Sequence, residues 1–135
     1  MANATFSQII LDGTRNSVVK LTGALDTGNL AYTVPILPGM FSPIPGQFRI
    51  DHIDYSVSDG VEVQLFWDAT VPLVILPLAG RGRLDYWNFG GLQNNAGAGK
   101  TGGIGYSVTQ LPGAVYTANE PFVYSLILEL VKQGV

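Results

Sequence analysis

Phe122-Val-Tyr-Ser-Leu-Ile-Leu-Glu-Leu-Val-Lys132 is the stretch of sequence that decides the fold. Every second residue from Phe122 to Leu130 is a large apolar side chain, and this period-two alternation is typical of a β-strand. The opposite face is interrupted only by Ser125 and Glu129, so we expect a long strand that is largely buried on both faces. Because an apolar strand of this length would aggregate at a sheet edge, the pattern predicts a central strand or one paired with a neighbouring subunit.

Strand-like segments recur at fairly even spacing along the rest of the chain. The sequence contains 17 Gly and 8 Pro dispersed among β-branched and aromatic residues, which is typical of short strands joined by tight turns. Besides 122–132, the predicted strands are 5–11, 17–23, 30–37, 47–57, 61–68, 73–78, 84–89 and 104–110. About eight strands in a single domain, residues 1–135, predict an all-β fold: an antiparallel β-sandwich of jelly-roll type, with a barrel as the alternative.

One connection can be predicted in register. Segments 47–57 and 61–68 are separated by Ser58-Asp-Gly60, and a three-residue loop ending in a left-handed glycine commonly joins the strands of a hairpin. In this register Val57 lies opposite Val61, which leaves one face of the hairpin apolar.

The composition indicates a surface that lies against other protein. Charged residues make up 13% of the chain and hydrophobic residues 47%, whereas an ordinary domain has about 25% charged residues. The net charge of −3 does not provide the basic field that duplex nucleic acid requires. Without cysteine there is no disulfide and no thiolate ligand for zinc. The longest apolar run, 71–79, contains two prolines and is too short to span a bilayer, so we expect no membrane partner.

The proline-rich segment 35–46 resists assignment as a strand. It holds four of the eight prolines together with Met40, Phe41 and Ile44, and proline fixes φ and lacks an amide donor. Two interpretations stay open. The segment is either a crossover loop whose apolar side chains cap the sandwich, or an arm whose Met40, Phe41 and Ile44 dock on a partner.

The glycine-rich segment 90–105 holds seven glycines and predicts a long flexible loop. Gly97-Ala-Gly-Lys-Thr101 looks at first like a phosphate-binding loop, but that motif requires a glycine where the chain has Asn94, and a helix does not follow at 101–105. We therefore expect no nucleotide. Lys100 is the only charge of the segment and is expected to contact an acidic neighbour.

Few residues suit catalysis or metal binding. His52 and Asp54 share a strand face at a spacing that suits two metal ligands, but the sequence supplies no third ligand beside them. In the predicted hairpin register His52 lies opposite Phe66, and we expect it to be a hydrogen-bonded histidine with a structural role. A lone histidine without a nucleophile motif predicts no catalytic residue. We expect no enzyme activity, no metal and no other cofactor.

The aromatic segment Asp85-Tyr-Trp-Asn-Phe89 is a candidate contact surface. Tyr86, Trp87 and Phe89 cannot all face inward, so at least one of them is expected to meet a neighbouring subunit, a loop or a sugar. Trp67, in contrast, continues an apolar stripe and is expected in the core.

The stretch Pro77-Leu-Ala-Gly-Arg-Gly-Arg-Leu-Asp-Tyr-Trp-Asn-Phe-Gly-Gly-Leu-Gln-Asn-Asn-Ala-Gly-Ala-Gly99, followed by the closing strand 126–132, resembles small structural proteins of tailed bacteriophages. In particular it is similar to decoration (cement) proteins, which sit on the outside of capsids. The resemblance implies a β-rich, non-enzymatic protein that forms homotrimers and binds the major capsid protein. It also implies a location on the exterior of the virion, after synthesis in the host cytoplasm.

The sequence thus leaves three structural or binding roles open. The first is a capsid decoration protein, the second a tail, collar or head-fibre component, and the third a jelly-roll carbohydrate-binding module of the lectin or adhesin kind. We expect the chain to contact itself and the capsid, without a small-molecule substrate. The predicted partner interface consists of Met40, Phe41, Ile44, Tyr86, Trp87, Phe89 and Lys100.

Overall fold

A computed structural model describes residues 3–25, 28–111 and 122–134. These described ranges contain nine strands: β1 (Ala4–Asp12), β2 (Asn16–Leu25), β3 (Leu30–Ile36), β4 (Gln47–Val57), β5 (Val61–Trp67), β6 (Leu73–Leu78), β7 (Arg81–Asp85), β8 (Ile104–Gln110) and β9 (Phe122–Gln133). Short 3₁₀ turns occupy Pro38–Met40 and Trp87–Phe89. Within the described ranges, no helix is long and apolar enough to cross a membrane.

The strands form two antiparallel sheets that pack face to face as a β-sandwich. The first sheet has the order β1-β2-β9-β4-β7 and the second the order β3-β8-β5-β6. From β2 onward most connections pass from one sheet to the other, so strands β2 to β9 make the double-sheet, eight-stranded arrangement of a jelly roll. The prediction of a jelly-roll-like sandwich is confirmed, and β1 is an additional strand beside β2.

Strand β9 is central, as its alternation predicts. It pairs with β2 on one side and with β4 on the other. Its inward side chains, from Phe122 to Leu130, are buried. On the outer face Val123 is exposed and the next three outward residues are half-buried, whereas Val131, near the end of the strand, is buried. The expectation of burial on both faces is therefore wrong, because no second layer covers the outer face of this sheet among the described residues.

The core lies between the two sheets and is made by the inward positions of both. Trp67 of β5 is fully buried there, as predicted. Tyr106 of β8 and Tyr124 of β9 come from opposite sheets, and their buried hydroxyls form a hydrogen bond of 2.8 Å across the core. Their rings meet edge to face at 5.7 Å. This contact is a polar link between the two layers.

The predicted hairpin between segments 47–57 and 61–68 is wrong. Strand β4 belongs to the five-stranded sheet and β5 to the four-stranded sheet, so the turn at 58–60 passes between layers. Val57 and Val61 are both buried because their strands face one another across the core. Alternation records which side of a strand meets the core, and two strands packed face to face satisfy it as well as two paired strands do.

The predicted strand 84–89 is shifted in the structure. Strand β7 begins earlier, at Arg81, and ends at Asp85. Tyr86 then has φ −123° and ψ −4°, which is outside the extended region, and a 3₁₀ turn follows. Gly90 ends this turn at φ +91°, a conformation that favours glycine.

Candidate functional site

Two long connections cover one end of the sandwich, which we call the loop end. The proline-rich loop joins β3 to β4, and the segment 86–103 joins β7 to β8. Both start and finish at this end, because the last residue of β3, Ile36, pairs with the first residue of β8, Ile104. The backbone of Leu92 also pairs with Ile50, near the start of β4. Residues distant in sequence are therefore brought to one end of the molecule.

The glycine-rich segment is held against the body of the protein, so the flexible loop that we predicted is not what the structure contains. Thr101 donates its amide to the Asp68 carbonyl at 3.1 Å, and Asp68 donates its amide to Gly103 at 3.0 Å. Gly102, at φ +82°, packs so closely on the other connection that a Cβ would collide with the carbonyl oxygen of Gly46. Glycine at this position lets the two loops touch.

A chain of side-chain amides links Lys100 to the aromatic segment. The Lys100 Nζ donates to Gln47 Oε1 at 2.9 Å, and Gln47 Nε2 donates to Gln133 Oε1 at 3.0 Å. The chain continues from Gln133 Nε2 to Gln93 Oε1 at 3.0 Å and from Gln93 Nε2 to the Gly90 carbonyl at 2.8 Å. The hydrogen-bond partner of Lys100 is thus a neutral amide of its own chain, where we expected an acidic neighbour. No sequence signal pointed to these three glutamines.

The proline-rich loop combines both interpretations that the sequence left open. Phe41 is only 3% exposed and packs edge to face on Phe48, with ring centroids 4.9 Å apart. Met40 is exposed and Ile44 is 63% exposed. Phe41 therefore caps the core and does not belong to the exposed contact surface in which we placed it, whereas Met40 and Ile44 remain available to a partner.

An ion pair between the buried Lys132 and the exposed Asp12 anchors this loop. The side chain of Lys132 is 0% exposed, and its Nζ lies 2.8 Å from Asp12 Oδ1. The other oxygen, Asp12 Oδ2, accepts a hydrogen bond from the Ser42 amide at 2.9 Å. The adjacent Lys132 ammonium is the main cause that lowers the pKa of Asp12, and the hydrogen bond from the Ser42 amide lowers it further. The Lys132 Nζ also lies 5.9 Å from the centroid of the Phe41 ring.

Like the proline-rich loop, the aromatic segment 85–89 contains both partly buried and exposed apolar side chains. Tyr86 packs against the edge of the core, where burial raises its pKa, and its ring lies 5.9 Å from that of Phe89. Trp87 is 60% exposed, and Phe89 is exposed to a similar degree. The expectation that at least one of these aromatics faces outward is confirmed, although what it contacts stays a prediction.

The loop end is therefore rich in exposed apolar side chains. Of the residues predicted for the interface, it brings together Met40, Ile44, Trp87, Phe89 and, at its rim, Lys100. Sequence reasoning missed three further exposed apolar residues in the loops and strand ends here, namely Leu37, Val71 and Leu73. This arrangement can bind a protein surface or stack on a sugar, since exposed aromatic and aliphatic groups serve both.

The single histidine belongs to a charged network on the outer face of the five-stranded sheet. His52 Nδ1 lies 2.5 Å from Asp85 Oδ1, and this contact lowers the pKa of Asp85. Arg83 bridges Asp85, Asp54 and Glu129, with a shortest distance of 2.6 Å to Asp54. The predicted position of His52 opposite Phe66 is wrong, because β4 pairs with β7 and β9. Within the described part of the chain, no three ligating side chains group in a way that would hold a metal ion.

Comparison with known proteins leaves the family open. No family model matches the sequence, and no curated protein matches it. Among solved structures, a cupin superfamily protein from Desulfitobacterium hafniense is similar over 95% of this chain and 79% of its own length. The sequence identity is 10% and the TM-score is 0.33.

Proposed function

We propose that this chain is a non-enzymatic structural protein of a bacteriophage virion, a decoration protein that forms homo-oligomers, most simply trimers, on the outside of the capsid. The observation that carries the proposal is the loop end, where exposed Trp87, Phe89, Met40 and Ile44 stand on loops that are themselves fixed. The sequence resemblance over 77–99 supports the same role, because this stretch includes the aromatic segment and most of the segment 86–103.

Rigid presentation is what makes the loop end suitable for docking. The amide chain from Lys100 to Gly90 fixes one loop, and the Asp12–Lys132 pair with buried Phe41 fixes the other. A surface that is ordered before binding loses less conformational entropy when it docks, so more of the contact energy appears as affinity. In this proposal the apolar side chains of the loop end lie against the major capsid protein.

Co-sedimentation with capsids tests the proposal. Heads assembled from the major capsid protein of the encoding phage are mixed with the purified chain, and the bound fraction is measured. Trp87→Ser and Ile44→Ser should each weaken binding by about tenfold or more, as expected for central apolar contacts of an interface. Both side chains are exposed, so the thermal midpoint should change little.

Val123→Ser is the matched control for these variants. Val123 is also an exposed apolar residue, but it lies on the outer face of the five-stranded sheet at the start of β9, away from the loop end. This variant should bind heads as the unmodified chain does. Failure of the unmodified chain to sediment with heads contradicts the proposal, and equal losses for all three variants contradict the assignment to the loop end.

A carbohydrate-binding module is the second candidate, and the exposure of Trp87 favours it specifically. An exposed indole can stack on the apolar face of a sugar ring. Glycan binding that is lost in Trp87→Ala, together with no binding to heads, would favour this function. A tail, collar or head-fibre component is separated from a decoration protein by the same sedimentation assay with isolated tails in place of heads.

A further inference from the structure

Strand β1 lies outside the eight-stranded jelly roll and is exposed along almost its whole length. Among the described residues it pairs with β2 alone, and eight of its nine residues are exposed. The apolar side chains include Phe6, which is 66% exposed, and Ile10 and Leu11. The sequence contains no charge from Ala4 to Leu11. A core role does not explain these side chains.

The edge that β1 presents lacks most of the features that keep edge strands apart. Such strands are ordinarily protected by lysine, proline or other charges, or by bulges. Strand β7, at the other edge of the same sheet, carries Arg81 and Arg83, and β3 carries Pro35. Strand β1 has only a bulge at Ile10, near its end. Within the described part of the chain, the segment of β1 before this bulge is therefore open to another strand.

A second charge-free apolar edge lies on the opposite side of the sandwich. Strand β6 is the edge of the four-stranded sheet, its six residues are uncharged, and Val74 and Leu73 are exposed. Strand β1 is on the side of β3, since residues of β1 and β3 line a common cleft. Strand β6 ends the other side of its sheet. Pro77 limits backbone pairing to the first part of β6, next to the exposed residues.

We propose that β1 of one copy packs along β6 of the next copy, head to tail, and that repetition of this contact joins several copies into a closed ring. The occupant is a second copy of this chain because each copy carries both uncharged apolar edges, on opposite sides. A contact of β1 with itself would leave β6 uncovered, whereas a head-to-tail contact covers both edges and closes when the rotation permits. The inference rests on the proposed function only for self-association, and it names the surfaces by which the copies meet.

Disulfide trapping tests the contact directly, since the chain contains no cysteine. The variants Phe6→Cys and Val74→Cys are oxidised separately, as an equal mixture, and as the double variant, and then separated on a non-reducing gel. Neither single variant should cross-link alone, because each ring contact joins β1 to β6. The mixture should give a cross-linked pair of chains, and the double variant a ladder that ends at the ring size, about three chains for a trimer.

Light scattering supplies a second measurement that does not depend on cysteine geometry. Phe6→Asp should lower the mass of the unmodified assembly to that of one chain, whereas Val123→Asp, on an exposed site outside both edges, should leave the mass unchanged. Cross-linking of Phe6→Cys with itself, or a single-chain mass for the unmodified protein, overturns the inference.

The two proposals fail separately. If the double variant forms the ladder and the unmodified chain does not bind heads, the ring stands and the virion role is refuted. If the chain binds heads and the mixture gives no cross-link, the virion role stands and the β1–β6 contact is refuted.

Discussion

The hydrogen bond between Tyr106 and Tyr124 should contribute to stability in a way that a double-mutant cycle isolates. Tyr124→Phe removes one oxygen atom and leaves the edge-to-face ring contact, with its 5.7 Å centroid distance, in place. The 2.8 Å bond is lost and the Tyr106 hydroxyl, in a residue only 1% exposed, is left without its partner. An unsatisfied buried hydroxyl costs about 1–3 kcal/mol. For a domain of this size the thermal midpoint should fall by roughly 3–10 °C.

The double variant is the decisive part of the cycle. With Tyr106→Phe and Tyr124→Phe together, neither hydroxyl remains to be desolvated, so the free energy of unfolding should return to within about 1 kcal/mol of the unmodified value. Burial raises the pKa of both phenols, so both are neutral when unfolding by urea is measured near neutral pH. Additive losses, or no loss in Tyr124→Phe, would refute the claim that this bond links the sheets.

Two further predictions concern stability. Gly23→Ala should lower the free energy of unfolding by about 1–3 kcal/mol, because its methyl group would meet the Tyr124 hydroxyl and the backbone of β1; Gly39→Ala, which faces open space, is the control. The pKa of Asp12 is lowered in the folded state, so in acid the unfolded chain binds more protons than the folded chain. The stabilisation from the pair with Lys132 is therefore present above about pH 4 and is lost as the pH falls below it. Thermal midpoints measured across this range should fall less steeply in Asp12→Asn, and an unchanged slope would contradict the pairing.

Most of the fold could be predicted because the alternation of apolar residues along a strand shows which face is buried. The prediction failed where it had to say which strands pair, because alternation does not show the hydrogen-bonded neighbour of a strand. The segment 122–132 alternates because its inward side chains fill the core, and this signal placed β9 correctly at the centre of a sheet. The same signal in β4 and β5 was misread as a hairpin. Both strands line one core from opposite sheets, so their apolar faces match without any hydrogen bond between them.

The candidate site was predictable in part, for a related reason. Phe41 and Ile44 are apolar neighbours in one loop, but Phe41 packs on Phe48 and Ile44 does not pack on the core. Composition cannot separate them, because the difference arises from a tertiary contact. The amide chain was invisible for the same reason: Gln47 and Gln133 become partners only when β4 pairs with β9.

The topology of the roll explains why exposed apolar side chains collect at one end without weakening the fold. The proline-rich loop passes from one sheet to the other at this end, where Phe41 is buried against the core and Ile44 is exposed. Phe41 and the Asp12–Lys132 pair hold the proline-rich loop, and Ile44 of that loop is exposed. The amide chain holds the segment 86–103, in which Trp87 is exposed. Exposed apolar groups carry a cost in solubility, so their presence on loops that are held in place supports the proposed partner. The same reasoning applies to β1, which the eight-stranded roll does not need.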